Sequence, residues 1–166
     1  MAVIYLGLGS NKAPDHHLKF AIESLRQEFG VLEISPIYRS KAVGFSGEDF
    51  LNAVVRAETT MSVSELKQFL TRLEDQCGRD RSQPKFSDRV LDIDILLYDD
   101  LRGEFDGLVL PREEIHRYAH VLKPLVDIAP RLKIPGGNQT YQELWEIFQG
   151  DRSLVTHKLD DKESPQ

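Results

Sequence analysis

Apolar positions along the chain switch repeatedly between a period of two and a period near 3.6, and each switch marks an element. Met1 to Gly7 reads as a strand, and Gly7-Leu8-Gly9-Ser10-Asn11 as a turn after it. Pro14-Asp15 is a helix start, followed by Leu18, Ala21, Ile22, Leu25 and Phe29 at helical spacing, with Gly30 where a left-handed C-terminal cap belongs. Val31 to Tyr38 is a second strand, Gly44-Phe45-Ser46-Gly47 breaks the pattern as a loop, and Phe50 to Thr59 is a third strand. Ser62-Val63-Ser64-Glu65 is a capping box, opening a helix whose apolar stripe is Leu66, Phe69, Leu70, Leu73 and Cys77 and which Gly78 ends. After a polar loop, Val90 to Tyr98 is a fourth strand.

The order strand-helix-strand-strand-helix-strand is the split βαβ pattern of a ferredoxin-like α+β domain, a βαββαβ core with an antiparallel sheet. Helices are expected to cover one face of that sheet. Beyond the core, Val121 to Ile128 and Tyr141 to Phe148 read as additional short helices, with Pro111, Pro124, Pro130 and Pro135 limiting their lengths. A chain of 166 residues suits one domain, taken here as 1–159, and the polar tail 160–166 is expected to be disordered.

Charge narrows the class. With 21 Lys+Arg against 27 Asp+Glu the formal charge is -6, which disfavours a general affinity for nucleic acid or anionic lipid, so any anion site must be local. The lone Cys77 allows neither an internal disulfide nor a multi-cysteine metal site, and reads as a buried helical cysteine of a cytoplasmic protein. No apolar run approaches the roughly 20 residues that span a bilayer, and the N-terminus lacks the features of a signal peptide.

Candidate chemistry centres on Asp92 and Asp94. They alternate with Leu91, Ile93 and Ile95, so strand periodicity puts both carboxylates on one face, their backbones roughly 7 Å apart. Such a pair suits Mg²⁺ with positions left for phosphate oxygens, whereas an isolated D-x-D is more often the solvated face of an edge strand. Arg79, Arg81, Lys85 and Arg89 gather four cations in the preceding loop, which a polyphosphate site would need, although such a basic run alone is more often a solvated loop. Phe50 and Asn52 share a strand face, where an amide and a ring suit a flat heterocycle, although a core Phe beside a strand-end Asn explains them equally well. His116 and His120 are four apart, as zinc ligands can be, but no third ligand is evident. Gly7-x-Gly9 lacks the third glycine of a dinucleotide fingerprint and reads as structural.

Together, Tyr5-Leu-Gly-Leu-Gly-Ser-Asn11, Ser35-Pro-Ile-Tyr38, Asp49-Phe-Leu-Asn-Ala53, Glu74, Gly78-Arg79-x-Arg81, Arg89-x-Leu-Asp-Ile-Asp-Ile95 and Pro124-Leu-x-x-Ile-Ala-Pro130 resemble the 6-hydroxymethyl-7,8-dihydropterin pyrophosphokinase family over nearly the whole chain. The resemblance implies a ferredoxin-like fold and transfer of the β,γ-diphosphate of ATP to the hydroxymethyl group of a reduced pterin, releasing AMP. Carried over by position, Asp92 and Asp94 would hold two Mg²⁺ ions, and Arg79 and Arg89 would stabilise the moving phosphates. Asn52 would bond the pterin edge, Phe50 would stack on the ring, and Ser40, Ala42, Val43 and Gly44 would form the pocket wall. Glu74, Arg81, Phe86, Arg89 and Ile95 would contact ATP, and residues 44–47 and 80–88 resemble the family's two lids. The expected partners are these small molecules, with no nucleic acid, no membrane and a monomeric state.

The departures from the family pattern concentrate on the nucleotide side. Thr71 stands where a Gln is usual, Phe86 replaces a Trp, and Ser87-Asp88 replace Gly-Pro. Arg112 followed by Glu113 stands where a His is usual, and Tyr118 and His120 stand where an Arg and an aromatic follow. Two other readings compete: a diverged relative acting slowly or on another heterocyclic alcohol, and a ferredoxin-like module binding RNA or a small effector. RNA is disfavoured by the charge and by the lack of an aromatic-rich RNP1-type strand.

Overall fold

The computed structural model describes residues 1–42, 47–78 and 90–159. The first strand, β1, runs Ala2–Ser10 and is longer than its glycines suggest. The turn expected over residues 7–11 is strand through Ser10, because Gly7 pairs with Val54 and Asp94 on its two sides and Gly9 with Asn52 and Asp92. Pairing on both sides overrides the weak strand preference of glycine. The helix α1, Pro14–Phe29, has proline in its first turn and buries Leu18, Ala21, Ile22 and Leu25. Gly30 caps it at φ 78, and its N–H donates to Arg26 O at 2.9 Å.

The predicted second strand is two short ones, β2 (Glu33–Ile34) and β3 (Ile37–Ser40), both antiparallel to β4 (Phe50–Thr59). Ser35-Pro36 makes the break. Pro36 has no N–H for a ladder, and the Ser35 hydroxyl accepts the Val54 N–H at 2.9 Å in place of a backbone carbonyl. The helix α2, Val63–Gln76, begins with the predicted capping box between Ser62 and Glu65. Then come β5 (Asp92–Tyr98), a hairpin of β6 (Gly103–Phe105) and β7 (Leu108–Leu110), α3 (Glu114–Arg117), α4 (Ala119–Ile128), α5 (Tyr141–Ile147) and β8 (Val155–His157). Among the described residues the main sheet is antiparallel, in the order β5-β1-β4-β3-β8 with β2 beside β4. The architecture is α+β.

Helices cover both faces of this sheet, not one. One core packs Ile4, Leu6, Leu8, Val55, Ile93 and Ile95 against Leu18, Leu25, Leu66 and Leu70 of α1 and α2. A second packs Tyr5, Val54, Leu96 and Leu97 against Ile115, Leu122, Leu125 and Tyr141 of α3, α4 and α5. A register shift adds Leu97 to the second. Ile95 pairs with Leu6 and Leu97 with Tyr5, so Leu96 is an extra residue that resets the alternation of β5. A Cβ on Gly7 would lie 3.3 Å from Leu96, so that glycine makes room for the bulge.

Two smaller expectations also change. Pro124 lies inside α4 instead of ending it, and it is buried there. His116 and His120 do not share a helix, because the extended residue Tyr118 (φ -127, ψ 127) separates α3 from α4. No helix among the described residues is long and apolar enough to cross a membrane.

Candidate active site

Among the described residues, helices cover the second face of the sheet toward one end. At the other, the register lines up Asp92, Gly9, Asn52 and Tyr38 in one cross-strand row, with Asp94 beside Gly7 in the next row. The two carboxylates and the Phe50/Asn52 pair are therefore held on one face by rigid strands and separated by a glycine lane. A Cβ on Gly9 would stand 3.6 Å from Asn52 Oδ1 and 4.0 Å from the Phe50 ring. Gly9 joins this arrangement from within β1, although two glycines spaced by two read as a turn in the sequence. Their alternation in phase with the strand was the available signal.

Asn52 is almost fully buried, and its Nδ2 donates to Ser40 Oγ at 2.8 Å and to Tyr38 O at 3.3 Å. A backbone carbonyl only accepts, so these partners fix the amide orientation and leave Oδ1 facing the lane over Gly9. Asn52 thus presents an acceptor, with both of its donors occupied. Ser40 pairs with Phe50 across the strands and orients Asn52 from the same sheet face, while Ala42 follows β3 half-buried.

Asp94 keeps 35% of its side-chain surface open. Burial and the neighbouring Asp92 carboxylate nevertheless push its pKa up to about 7, against the opposing pull of Arg112. A carboxylate so placed is stabilised by a bound cation. Among the described residues no cluster of three or more His, Cys, Asp or Glu side chains assembles. A metal here would rest on the two carboxylates, with its other positions open to phosphate oxygens and water. These hard oxygen donors fit Mg²⁺, which binds through one or two carboxylates and substrate phosphates.

Glu74 and Ile95 serve β5 itself. Glu74 is 6% exposed, and its Oε2 accepts the Ile93 N–H at 2.9 Å, closing the outer edge of the strand between the two aspartates. Ile95 sits in the core under α1 and α2, so its side chain lies on the face opposite Asp94. Val43, Gly44, Arg79, Arg81, Phe86 and Arg89 lie outside the described residues, as do both expected lids apart from Gly47.

The far wall belongs to α4. Tyr38 donates to Asp127 Oδ2, and Lys123 Nζ bonds Asp127 Oδ1 at 2.7 Å, tying β3 to that helix. The His120 ring stacks on Tyr118 at 5.2 Å between centroids, and burial lowers its pKa to about 4. Between about pH 6.5 and 4 the unfolded chain takes up a proton that the folded chain refuses. Stability therefore falls as pH drops through that window and is intact above it. Relative to pH 7, His120→Phe is expected to lose less stability at pH 4.5 than the unaltered chain, by on the order of 1 to 3 kcal/mol. Urea midpoints at the two pH values check this, and parallel losses would mean that the ring is freely protonated in the folded protein.

A family profile described as 7,8-dihydro-6-hydroxymethylpterin-pyrophosphokinase matches residues 5–130. A 2-amino-4-hydroxy-6-hydroxymethyldihydropteridine pyrophosphokinase of Aquifex aeolicus is 36% identical over 137 residues, covering 81% of this chain and 85% of its own. One of the same name from Haemophilus influenzae is 34% identical over 159 residues, covering 93% and 98%. The crystal structure of Plasmodium falciparum HPPK-DHPS with SDX-DHP superposes with a TM-score of 0.68 at 14% identity, covering 88% of this chain and 43% of that longer one. At that identity it supports the fold alone.

Proposed function

Because the chain belongs to the 7,8-dihydro-6-hydroxymethylpterin-pyrophosphokinase family, whose members are diphosphate-transferring enzymes, we propose that it moves the β,γ-diphosphate of ATP to the hydroxymethyl group of 6-hydroxymethyl-7,8-dihydropterin, with Mg²⁺, releasing AMP. One observation carries this reading: two carboxylates and an amide-plus-ring pair share one sheet face on either side of the lane formed by Gly7 and Gly9. The heterocycle stacks on Phe50, and a ring N–H donates to Asn52 Oδ1, the acceptor that the Ser40 and Tyr38 bonds leave pointing into the lane. Asp92 and Asp94 hold Mg²⁺, which supplies charge neutralisation for the transferring phosphates when bound. Glu74 keeps both carboxylates in position by bonding the backbone between them. Arg79, Arg81 and Arg89 complete the phosphate grip and Phe86 the nucleotide site, in keeping with the family pattern.

The β5-β1-β4-β3 order is read as ferredoxin-like, the chain as one domain, and the protein as a monomeric cytoplasmic enzyme with no nucleic-acid or membrane partner. The charge of -6 and the single cysteine support the last of these.

Incubation with ATP, Mg²⁺ and hydroxymethyl-dihydropterin tests the reaction. Stoichiometric AMP and pterin diphosphate are expected. ADP would mean single-phosphoryl transfer, and absence of both nucleotide products would overturn the proposed reaction.

A further inference from the structure

The cation recorded against Asp94 among the described residues is a guanidinium. Arg112 Nη2 stands 3.4 Å from Asp94 Oδ1, and its Nε is bonded at 2.7 Å to Glu114 Oε2. The position is fixed by the backbone, since the Arg112 N–H donates to Leu96 O at 2.9 Å at the edge of β5. Arg112 and Glu114 side chains are half-buried, so their mutual bond is partly shielded from water. The two contacts differ in kind. The bond to Glu114 is short and made by Nε, whereas the contact to Asp94 is long and made by one terminal nitrogen. The second breaks more easily than the first, and breaking it requires only a side-chain rotation about the Glu114 anchor.

We propose that Arg112 is an exchangeable counter-ion that makes divalent-metal loading at Asp94 conditional on the nucleotide. This rests on the function proposed above. In the free protein the guanidinium neutralises Asp94 and repels a second cation there. A bound polyphosphate offers oxygens that compete for the same nitrogens, and Arg112 leaves Asp94 for them while Glu114 keeps it within reach. The carboxylate is then open to the metal that the polyphosphate brings. Metal and nucleotide thus favour each other through one side chain, and the coupling is reciprocal. A shorter, neutral side chain at this position would let the metal bind without the nucleotide.

The test uses Mn²⁺ as a spectroscopic probe, with the free ion counted by electron paramagnetic resonance. It is applied to the full chain with and without a non-hydrolysable ATP analogue. Arg112→Met is expected to tighten Mn²⁺ binding to the nucleotide-free protein by about tenfold, the weight of one unit charge removed at this range. The same variant is expected to weaken the Mg²⁺-bound analogue by a similar factor, so the two effects run in opposite directions. Arg112→Lys, which keeps the charge, is expected to leave the Mn²⁺ affinity of the free protein near that of the unaltered chain. It also guards against a folding defect in the methionine variant. Unchanged Mn²⁺ binding in Arg112→Met, with nucleotide binding intact in the unaltered chain, overturns the counter-ion role alone. Failure of the unaltered chain to bind the analogue at all overturns this inference together with the proposed function.

Discussion

Asp94→Ala is expected to fold as well as the unaltered chain and to turn over more slowly by roughly 10² or more. The two halves of that result have separate physical origins. Folding is spared because the carboxylate is already disfavoured where it stands: burial and Asp92 raise its pKa, so deleting it relieves a repulsion. Turnover is lost because one of two proposed metal ligands is gone, and the transferring phosphates then develop charge without their neutralising partner. Asp92→Ala is expected to behave alike, since both residues stand beside a glycine of β1 on the same face. Asp94→Asn separates shape from charge, because it keeps the volume and removes the ionic ligand. Steady-state AMP formation over a Mg²⁺ titration measures the effect, and thermal unfolding gives the control. Near-normal rates at ordinary Mg²⁺ in either alanine variant would end the metal assignment.

Filling the glycine lane is the second large perturbation. Gly9→Val is expected to weaken pterin binding by about 10²-fold, equivalent to roughly 2.7 kcal/mol. It should leave the sheet intact, because a β-branched residue suits a central strand. A first carbon at residue 9 sits at ordinary contact distance from Asn52 and Phe50, 3.6 and 4.0 Å, so Gly9→Ala is expected to be mild. The two further methyl groups of valine have nowhere to go but over the Asn52 amide or toward Asp92. They would occupy the volume where a flat ring stacks on Phe50. Calorimetry with the pterin in the presence of a non-hydrolysable ATP analogue reads the loss. An undiminished pterin affinity in Gly9→Val would place the heterocycle away from Phe50 and Asn52.

Local signals decided much of this protein. The capping box at Ser62, proline in the first turn of α1, Gly30 at its end and the alternation from Leu91 to Ile95 are written over a few residues each. The structure has each where the pattern puts it. The pairing of Asp92 with Asp94 on one face is of the same kind, since it needs only the two-residue repeat of a strand. Other features needed partners distant in sequence. Gly7 and Gly9 read as a turn because glycine is permissive, and only pairing with β4 and β5 on both sides shows them to be strand. Leu97 faces the second helical layer because Leu96 is an inserted residue, whose effect on facing cannot be known before the register is set. Ser35-Pro36 splits a strand that hydropathy alone leaves whole. The donors of Asn52 are consumed by Ser40 and Tyr38, and Arg112 reaches Asp94 across 18 positions of sequence. The sequence by itself determined the long helices α1 and α2, the cores of β1, β4 and β5, and the facing of Asp92 with Asp94. Tertiary structure decided which segments are neighbours, and with them the orientation of the Asn52 amide and the cation at Asp94, because those depend on contacts that no local repeat encodes.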